Sequence, residues 1–151
     1  MSNTESHFPA FRPAVGDDWG AIEVLLTDAK LPLDGAQAHL ASFIVGEVGG
    51  AIVCSGALEP YGEVALLRSV VVSPNQRGSG IGAMLFDELA DMAKARGIDK
   101  LFLLTTTAAP FFARRGFAVG ARETAPAALQ ASREFQGACP ASATLMSLSL
   151  N

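Results

Sequence analysis

Val64-Ala-Leu-Leu-Arg-Ser-Val-Val-Val-Ser-Pro-Asn-Gln-Arg-Gly-Ser-Gly-Ile-Gly82 passes from an apolar, β-branched run to a glycine-rich bend, and Ala83-Met-Leu-Phe86 carries it on as a helical pattern. The run Val70 to Val72 stops at Pro74, so the stretch reads as strand, tight turn and helix. Gly78, Gly80 and Gly82 let the backbone bend sharply with its N–H groups outward, and the helix dipole adds partial positive charge at the same spot. The natural occupant of the segment Arg77, Gly78, Ser79, Gly80, Ile81 and Gly82 is a phosphate. A Walker A loop is excluded, because Ala83-Met84 stands where Lys-Ser or Lys-Thr is needed. A dinucleotide fingerprint is excluded by the glycine spacing and by the next strand, Leu101 to Leu104, which ends in threonines rather than an acid.

The flanks extend the pattern. Ile81, Met84, Leu85, Leu89, Met92 and Ala93 recur at three-and-four spacing on one helical face, with Asp87, Glu88, Asp91 and Lys94 opposite and Gly97 as the stop. Leu101 to Leu104 then reads as a buried strand parallel to the central one, joined by a right-handed crossover. Upstream, Phe43–Glu47 and Ala51–Leu58 form a hairpin about Gly49-Gly50, and Glu59-Pro-Tyr-Gly62 turns into the long strand Glu63–Ser73. An irregular first strand (Phe8–Val15), a helix capped by Asp17 or Asp18, and a short helix from Asp34 or Gly35 to Leu40 precede these. A short helix from Ala109 to Arg115, a strand from Phe117 to Val119, a helix begun at Thr124 or Ala125 with Pro126 in its first turn and running to about Ser132, a loop Phe135–Pro140 and a last strand Ala143–Leu150 follow. The fold class is α+β (α/β), a mixed central sheet of about six to seven strands flanked by helices.

The chain of 151 residues makes one domain, 8–151, behind a polar start at 1–7 expected to be flexible. Half its residues are hydrophobic and 17% are charged, which favours a well-packed chain and leaves room for a homodimer. A net charge of −4, with 11 scattered basic residues, gives nucleic acid no electrostatic footing. No signal peptide or membrane span is expected. Cys54 and Cys139 read as free thiols in a reducing cytoplasm, and no metal-ligand spacing occurs.

The order R-x-x-G-x-G, met by Arg77, Gly80 and Gly82 behind a Val-x-Pro strand end, resembles the acyl-CoA pyrophosphate loop of the GCN5-related N-acetyltransferases. Ala109-Pro-Phe-Phe-Ala-Arg-Arg-Gly-Phe117 is similar to that family's A-x-F-Y-x-x-x-G-F motif. The resemblance covers about residues 8 to 149. It implies acetyl-CoA as co-substrate, its diphosphate on the amides of Arg77 to Gly82 and its pantetheine along the backbone of Val70, Val71 and Val72. Thr105 or Thr106, at a strand end, then touches the pantetheine arm. Phe112 stands where many members carry a tyrosine acid, which implies that water protonates the departing thiolate. The segment carrying Leu33 and Asp34 arches over the acceptor in that family, so both become candidate substrate contacts beside a plain role in the turn.

Arg68 interrupts an apolar strand, and alternation puts it on a face with Val70 and Val72. A guanidinium is not buried unpaired, so either a carboxylate of the chain, Glu59 or Glu63, neutralises it, or it takes an anionic group of the acceptor. Glu59 and Glu63 are also the candidates for general base, Glu59 ahead because it follows an apolar strand; a base acting through water stays open. The details Leu-Leu-Arg-Ser-Val, Leu-Leu-Thr-Thr-Thr-Ala and a late Cys-Pro-Ala-Ser-Ala are similar to small acetyltransferases associated with bacterial arsenic-resistance genes, and more distantly to amino-acid N-acetyltransferases. The expected acceptor is a small, amino-acid-like amine attacking acetyl-CoA directly. A peptide N-terminus as acceptor, and a non-catalytic acyl-CoA sensor, are the alternatives.

Overall fold

The computed structural model describes residues 8–150. The start at 1–7, expected to be flexible, lies outside them. Strands β1 (Ala10–Pro13), β2 (Phe43–Val48), β3 (Ala51–Tyr61), β4 (Val64–Val72), β5 (Lys100–Thr105), β6 (Ala118–Gly120) and β7 (Thr144–Ser149) form one sheet in the order β1-β2-β3-β4-β5-β7-β6. Helix α1 (Trp19–Asp28) follows β1, α2 (Ile81–Ala95) joins β4 to β5, and α3 (Ala109–Arg114) and α4 (Ala127–Gln130) precede and follow β6. Among the described residues only β4 and β5 pair in parallel, which is what a crossover helix between them requires. Among the described residues no helix is long and apolar enough to cross a membrane.

The apolar periods decide the layers. Ile81, Leu85, Leu89 and Ala93 of α2 pack on Cys54, Leu58 and Leu67, covering one sheet face. Ile22 and Leu26 of α1 cover Val45, Ala57 and Val71 on the other. The two ends of this layer are tied by Arg12, whose guanidinium donates to both carboxylate oxygens of Asp18 at 2.7 and 2.9 Å and to Glu47 at 3.0 Å. That pairing holds the Asp18 carboxyl below the usual range.

Four expectations need correction. The turn expected at Glu59–Gly62 is strand as far as Tyr61. Past Ala57, β3 has a registered partner only in β4, so Pro60 sits at an open edge where its missing N–H is tolerated. The helix expected from residue 34 is a 3₁₀ turn at Gln37–Ser42, and Phe135–Pro140 is largely a wide turn, Glu134–Ala138, rather than open loop.

The fourth correction matters most. Ala57 is opposite Arg68 and Ser55 opposite Val71, so β4 carries one residue more than β3 across this step. The bulge centres on Ser69, which takes φ +59°, and its carbonyl accepts from Ser55 Oγ at 3.2 Å. Alternation resets there. Val70 and Val72 face α2, whereas Arg68 faces away from them, with Ala57 and Val71.

β4 and β5 pair only at Val64–Lys100, Ala65–Leu101 and Leu66–Phe102, yet β4 runs on beside β3 to Val72 and β5 beside β7 to Thr105. Beyond Leu66 the two strands part, and the sheet holds a wedge-shaped gap.

Opposite the bulge, a Cβ on Gly56 would lie 2.5 Å from Leu89 Cδ1, and Leu89 is fully buried. Gly56→Ala is therefore expected to destabilise the fold by about 1–3 kcal/mol through overpacking, measured as a lower urea midpoint at unchanged slope.

Candidate functional site

Three adjoining spaces with shared lining residues lie about the gap between β4 and β5. A cleft of about 800 Å³ lies over the glycine bend, with Val70 to Val72 as its floor and Gly78, Gly80 and Gly82 along one wall. A second cleft of about 520 Å³ lies at the other mouth, between Leu33, Asp34 and the Cys139–Pro140 segment. A cavity of about 70 Å³ joins them; it shares Leu31 and Val70 with the first, and Pro32, Leu104 and Cys139 with the second.

The first cleft suits a phosphate ester. Gly78 and Gly80 take φ +84° and +85°, the left-handed region that turns successive amides outward, and Gly80 leads directly into α2. The first turn of α2 leaves its N–H groups without helical acceptors. A Cβ on Gly82 would meet the Phe111 ring at 3.3 Å, so glycine keeps this wall close to the aromatic. Arg77, Arg114 and Arg115 surround the cleft. Arg77 Nε donates to the Val72 carbonyl at 3.1 Å, which leaves the outer nitrogens of its guanidinium for a ligand. Arg115 lies over the Phe111 ring at 5.3 Å, and its Nε is buried without a hydrogen-bond partner among the described residues. An unpaired guanidinium N–H beside exposed amides fits an anion with several oxygens, as the diphosphate of acyl-CoA is. Ser79 donates to the Gln76 carbonyl at 2.7 Å, and Ile81 is buried in the α2 core, so these two serve the bend rather than a ligand through their side chains.

The joining cavity contains a charged cluster. Arg68 is wholly buried; its Nη1 donates to Glu59 Oε1 at 3.0 Å, its Nε to Ser69 Oγ at 3.2 Å and its Nη2 to the Pro32 carbonyl at 3.3 Å. Tyr61 donates to the other oxygen of Glu59, and His39 Nε2 lies 3.7 Å from Oε1. Residues 57, 59 and 61 of β3 share a face with Arg68, which is why strand through Tyr61, rather than a turn, assembles the group. A second carboxylate, Glu134, approaches Arg68 Nε to 3.5 Å from the wide turn after α4. Burial raises the Glu134 carboxyl above the usual range, against the pull of Arg68. Burial and the Glu134 charge push the Cys139 thiol up to about 12, and burial together with Glu59 also raises the Tyr61 phenol.

Glu59 therefore appears as the internal partner of Arg68. Glu63 is exposed in the turn at the paired end of β4 and lines none of the three spaces. Leu33 and Asp34 line the second cleft. Thr105 lines the joining cavity, but its Oγ1 already accepts from the Ala108 amide at 2.9 Å; Thr106 faces the second cleft, and Thr107 the first. Phe112 lines the joining cavity and packs edge-on against Phe111 and Phe117. Glu134, Tyr61, His39 and the carbonyl of Pro32 were not anticipated. The one available signal was the buried arginine itself, which demands acceptors on every side.

Comparison with known proteins gives a consistent picture. A family model described as an acetyltransferase (GNAT) domain matches residues 39–119. An amino-acid acetyltransferase of Pseudomonas putida (strain GB-1) is 33% identical over 142 residues, 88% of this chain and 33% of the relative. One from Pseudomonas syringae pv. tomato is 29% identical over 141 residues, 87% of this chain and again 33% of the relative. The chain thus spans about a third of the length of these curated relatives. The crystal structure of Rv2747 from Mycobacterium tuberculosis, in complex with CoA, superposes with a TM-score of 0.80 at 26% identity over 95% of this chain and all of that one. N-acetylglutamate synthase from Neisseria gonorrhoeae shares the fold, with a TM-score of 0.83 at 24% identity over 95% of this chain and 35% of that one. The relatives are amino-acid acetyltransferases, so the closer of the two resemblances drawn from sequence, to acetyltransferases associated with arsenic-resistance genes, gives way to the more distant one.

Removing one member of the buried pair leaves the other uncompensated. Arg68→Met is expected to cost about 3–5 kcal/mol in chemical denaturation, and Arg68→Met combined with Glu59→Gln to cost markedly less than the two single changes summed.

Proposed function

Because the chain belongs to the acetyltransferase (GNAT) family, we propose that it moves the acetyl group of acetyl-CoA to the α-amine of a small amino acid carrying a second carboxylate, of the glutamate type. The observation that carries the reading is the passage through the sheet: two clefts on either side of the β4–β5 gap meet at one cavity of about 70 Å³, large enough for a thioester carbonyl and an amine and little else. The amino-acid acetyltransferases among the relatives support the acceptor class.

Acetyl-CoA supplies an acyl group already activated as a thioester. The amides of Arg77 to Gly82, with Arg115, hold its diphosphate. The edge of β4 at Val70 to Val72, which β5 leaves unpaired, bonds the pantetheine and places the thioester at the joining cavity. The second cleft receives the acceptor. Its two charged residues, Lys30 and Asp34, have the signs needed for a carboxylate and an ammonium, and Lys30 borders the first cleft as well. Arg68 is committed to Glu59, so it sets the potential of the cavity, while Lys30, without an ion-pair partner among the described residues, is the cation we assign to the acceptor's acid. Phe112 offers no acid, and a thiolate leaves without one because it is a weak base. Rate enhancement then comes mainly from holding both reactants in register in a water-poor space.

A panel of amino acids and short peptides incubated with acetyl-CoA, read by free thiol release, is expected to give fastest release with glutamate-like acceptors; release only with peptides, or with no amine, overturns the reading. Gly80→Val adds a side chain at φ +85° beside the phosphate cradle and is expected to weaken acetyl-CoA binding by at least about tenfold in titration calorimetry.

A further inference from the structure

We propose that Glu134 is the catalytic base that takes the proton from the acceptor's ammonium, an inference that rests on the acetyl transfer proposed above. Three acidic side chains are buried among the described residues: Asp18, Glu59 and Glu134. Asp18 is bound by Arg12 at the far side of α1, remote from the gap. Glu59 has both oxygens engaged, one by Arg68 and one by Tyr61, and does not line the joining cavity. Glu134 does line it. Its Oε2 lies 3.5 Å from Arg68 Nε, too far for a hydrogen bond, so the guanidinium steadies the negative charge without occupying the oxygen.

The groups facing Glu134 give it useful basicity. Arg68 on β4 favours its ionised form, as does a hydrogen bond from Cys139 just beyond the turn; burial, and the like charge of Glu59 on β3, oppose ionisation, and Tyr61 on β3 is a neutral neighbour. The result is a carboxylate more basic than one in water. The turn that carries it is fixed: the Cys139 amide donates to the Glu134 carbonyl at 3.1 Å, and the Gln136 amide to the Ser132 carbonyl at 2.9 Å. Cys139 also borders the second cleft, so the base stands where the acceptor enters.

The proton balance closes. The acceptor arrives as R–NH3⁺ and gives one proton to the Glu134 carboxylate. The freed nitrogen pair forms the C–N bond to the thioester carbon; when the C–S bond breaks, its electron pair leaves on sulfur, and the second nitrogen proton reaches that thiolate through water. Glu134 then returns its proton to solvent through the second cleft. The products are the amide, CoA thiol and one proton.

The test is Glu134→Gln, assayed with the best acceptor of the panel. The expected result is a fall in kcat of at least about a hundredfold, with KM for acetyl-CoA little changed. The wild-type kcat is expected to lose activity on the acid side along a limb above the ordinary carboxylate range, and the variant to lack that limb. Retention of the limb, or of kcat, overturns the proposal. Calorimetric binding of acetyl-CoA reports whether the variant folds. Where it does not, Glu134→Asp keeps the charge opposite Arg68, and it is expected to lower kcat and keep a displaced limb; unchanged kcat overturns the proposal. A wild-type chain that acetylates no amino acid overturns the acceptor reading and this proposal together, whereas an active wild type with an equally active Glu134→Gln overturns this one alone.

Discussion

One surplus residue in β4 governs the rest of the molecule. A strand in a parallel pair keeps its neighbour as long as its backbone groups stay in register, and β4 gives up that register after Leu66. The bulge at Ser69 then bends it toward β3, where the Ser55 hydroxyl and the Arg68 guanidinium secure an otherwise costly left-handed serine. The N–H and C=O groups that β4 would have given to β5 still need partners. They are offered to whatever fills the gap, which explains why a ligand as long and flexible as a pantetheine arm can be held by backbone alone.

The same residue decides where charge can be buried. In an unbroken strand Arg68, Val70 and Val72 would share one face. The bulge returns the two valines to the α2 layer and leaves Arg68 with Glu59 and Tyr61 on the opposite side. Apolar packing and the ionic cluster are thereby separated by the thickness of one sheet, and neither compromises the other. Gly56, facing the bulge, supplies the room that Leu89 occupies.

How much of this can be read without coordinates depends on the range of the interaction. The glycine bend, α2 and the hairpins are local: glycine spacing, a 3.6-residue period and β-branched runs carry them, and the observed elements match except that the second hairpin turns at Gly62-Glu63 rather than across Glu59–Gly62. Glu59 as partner of Arg68 is legible because both lie on one hairpin. Ser69 gives no warning, since a serine in the left-handed region looks like any strand serine, and simple alternation therefore puts Arg68 on the wrong face. Glu63 drew attention by its nearness in sequence, yet β4 carries it to the closed end of the wedge. Glu134 was invisible because it reaches Arg68 only once β7 and the turn before it fold back on the sheet. Local chemistry thus reaches the glycine-lined cleft, whereas the second cleft depends on contacts between distant segments.

The charges around the joining cavity would favour a proposed acceptor that enters amine first. With Glu134 ionised, as the proposed base must be, Arg68 against Glu59 and Glu134 leaves one formal negative charge around a space walled by Leu31, Leu103, Leu104 and Phe112. In so dry a setting one uncompensated charge is expensive, and a carboxylate arriving there would double it. An ammonium instead brings the count to zero. Moving its proton to Glu134 keeps the count at zero, because a cation and an anion become two neutral groups together. In the proposed reaction the acceptor's own carboxylates would stay outside, toward Lys30 at the rim. Orientation, selectivity for amines and the poise of the base then have one origin: two buried acids share a single guanidinium.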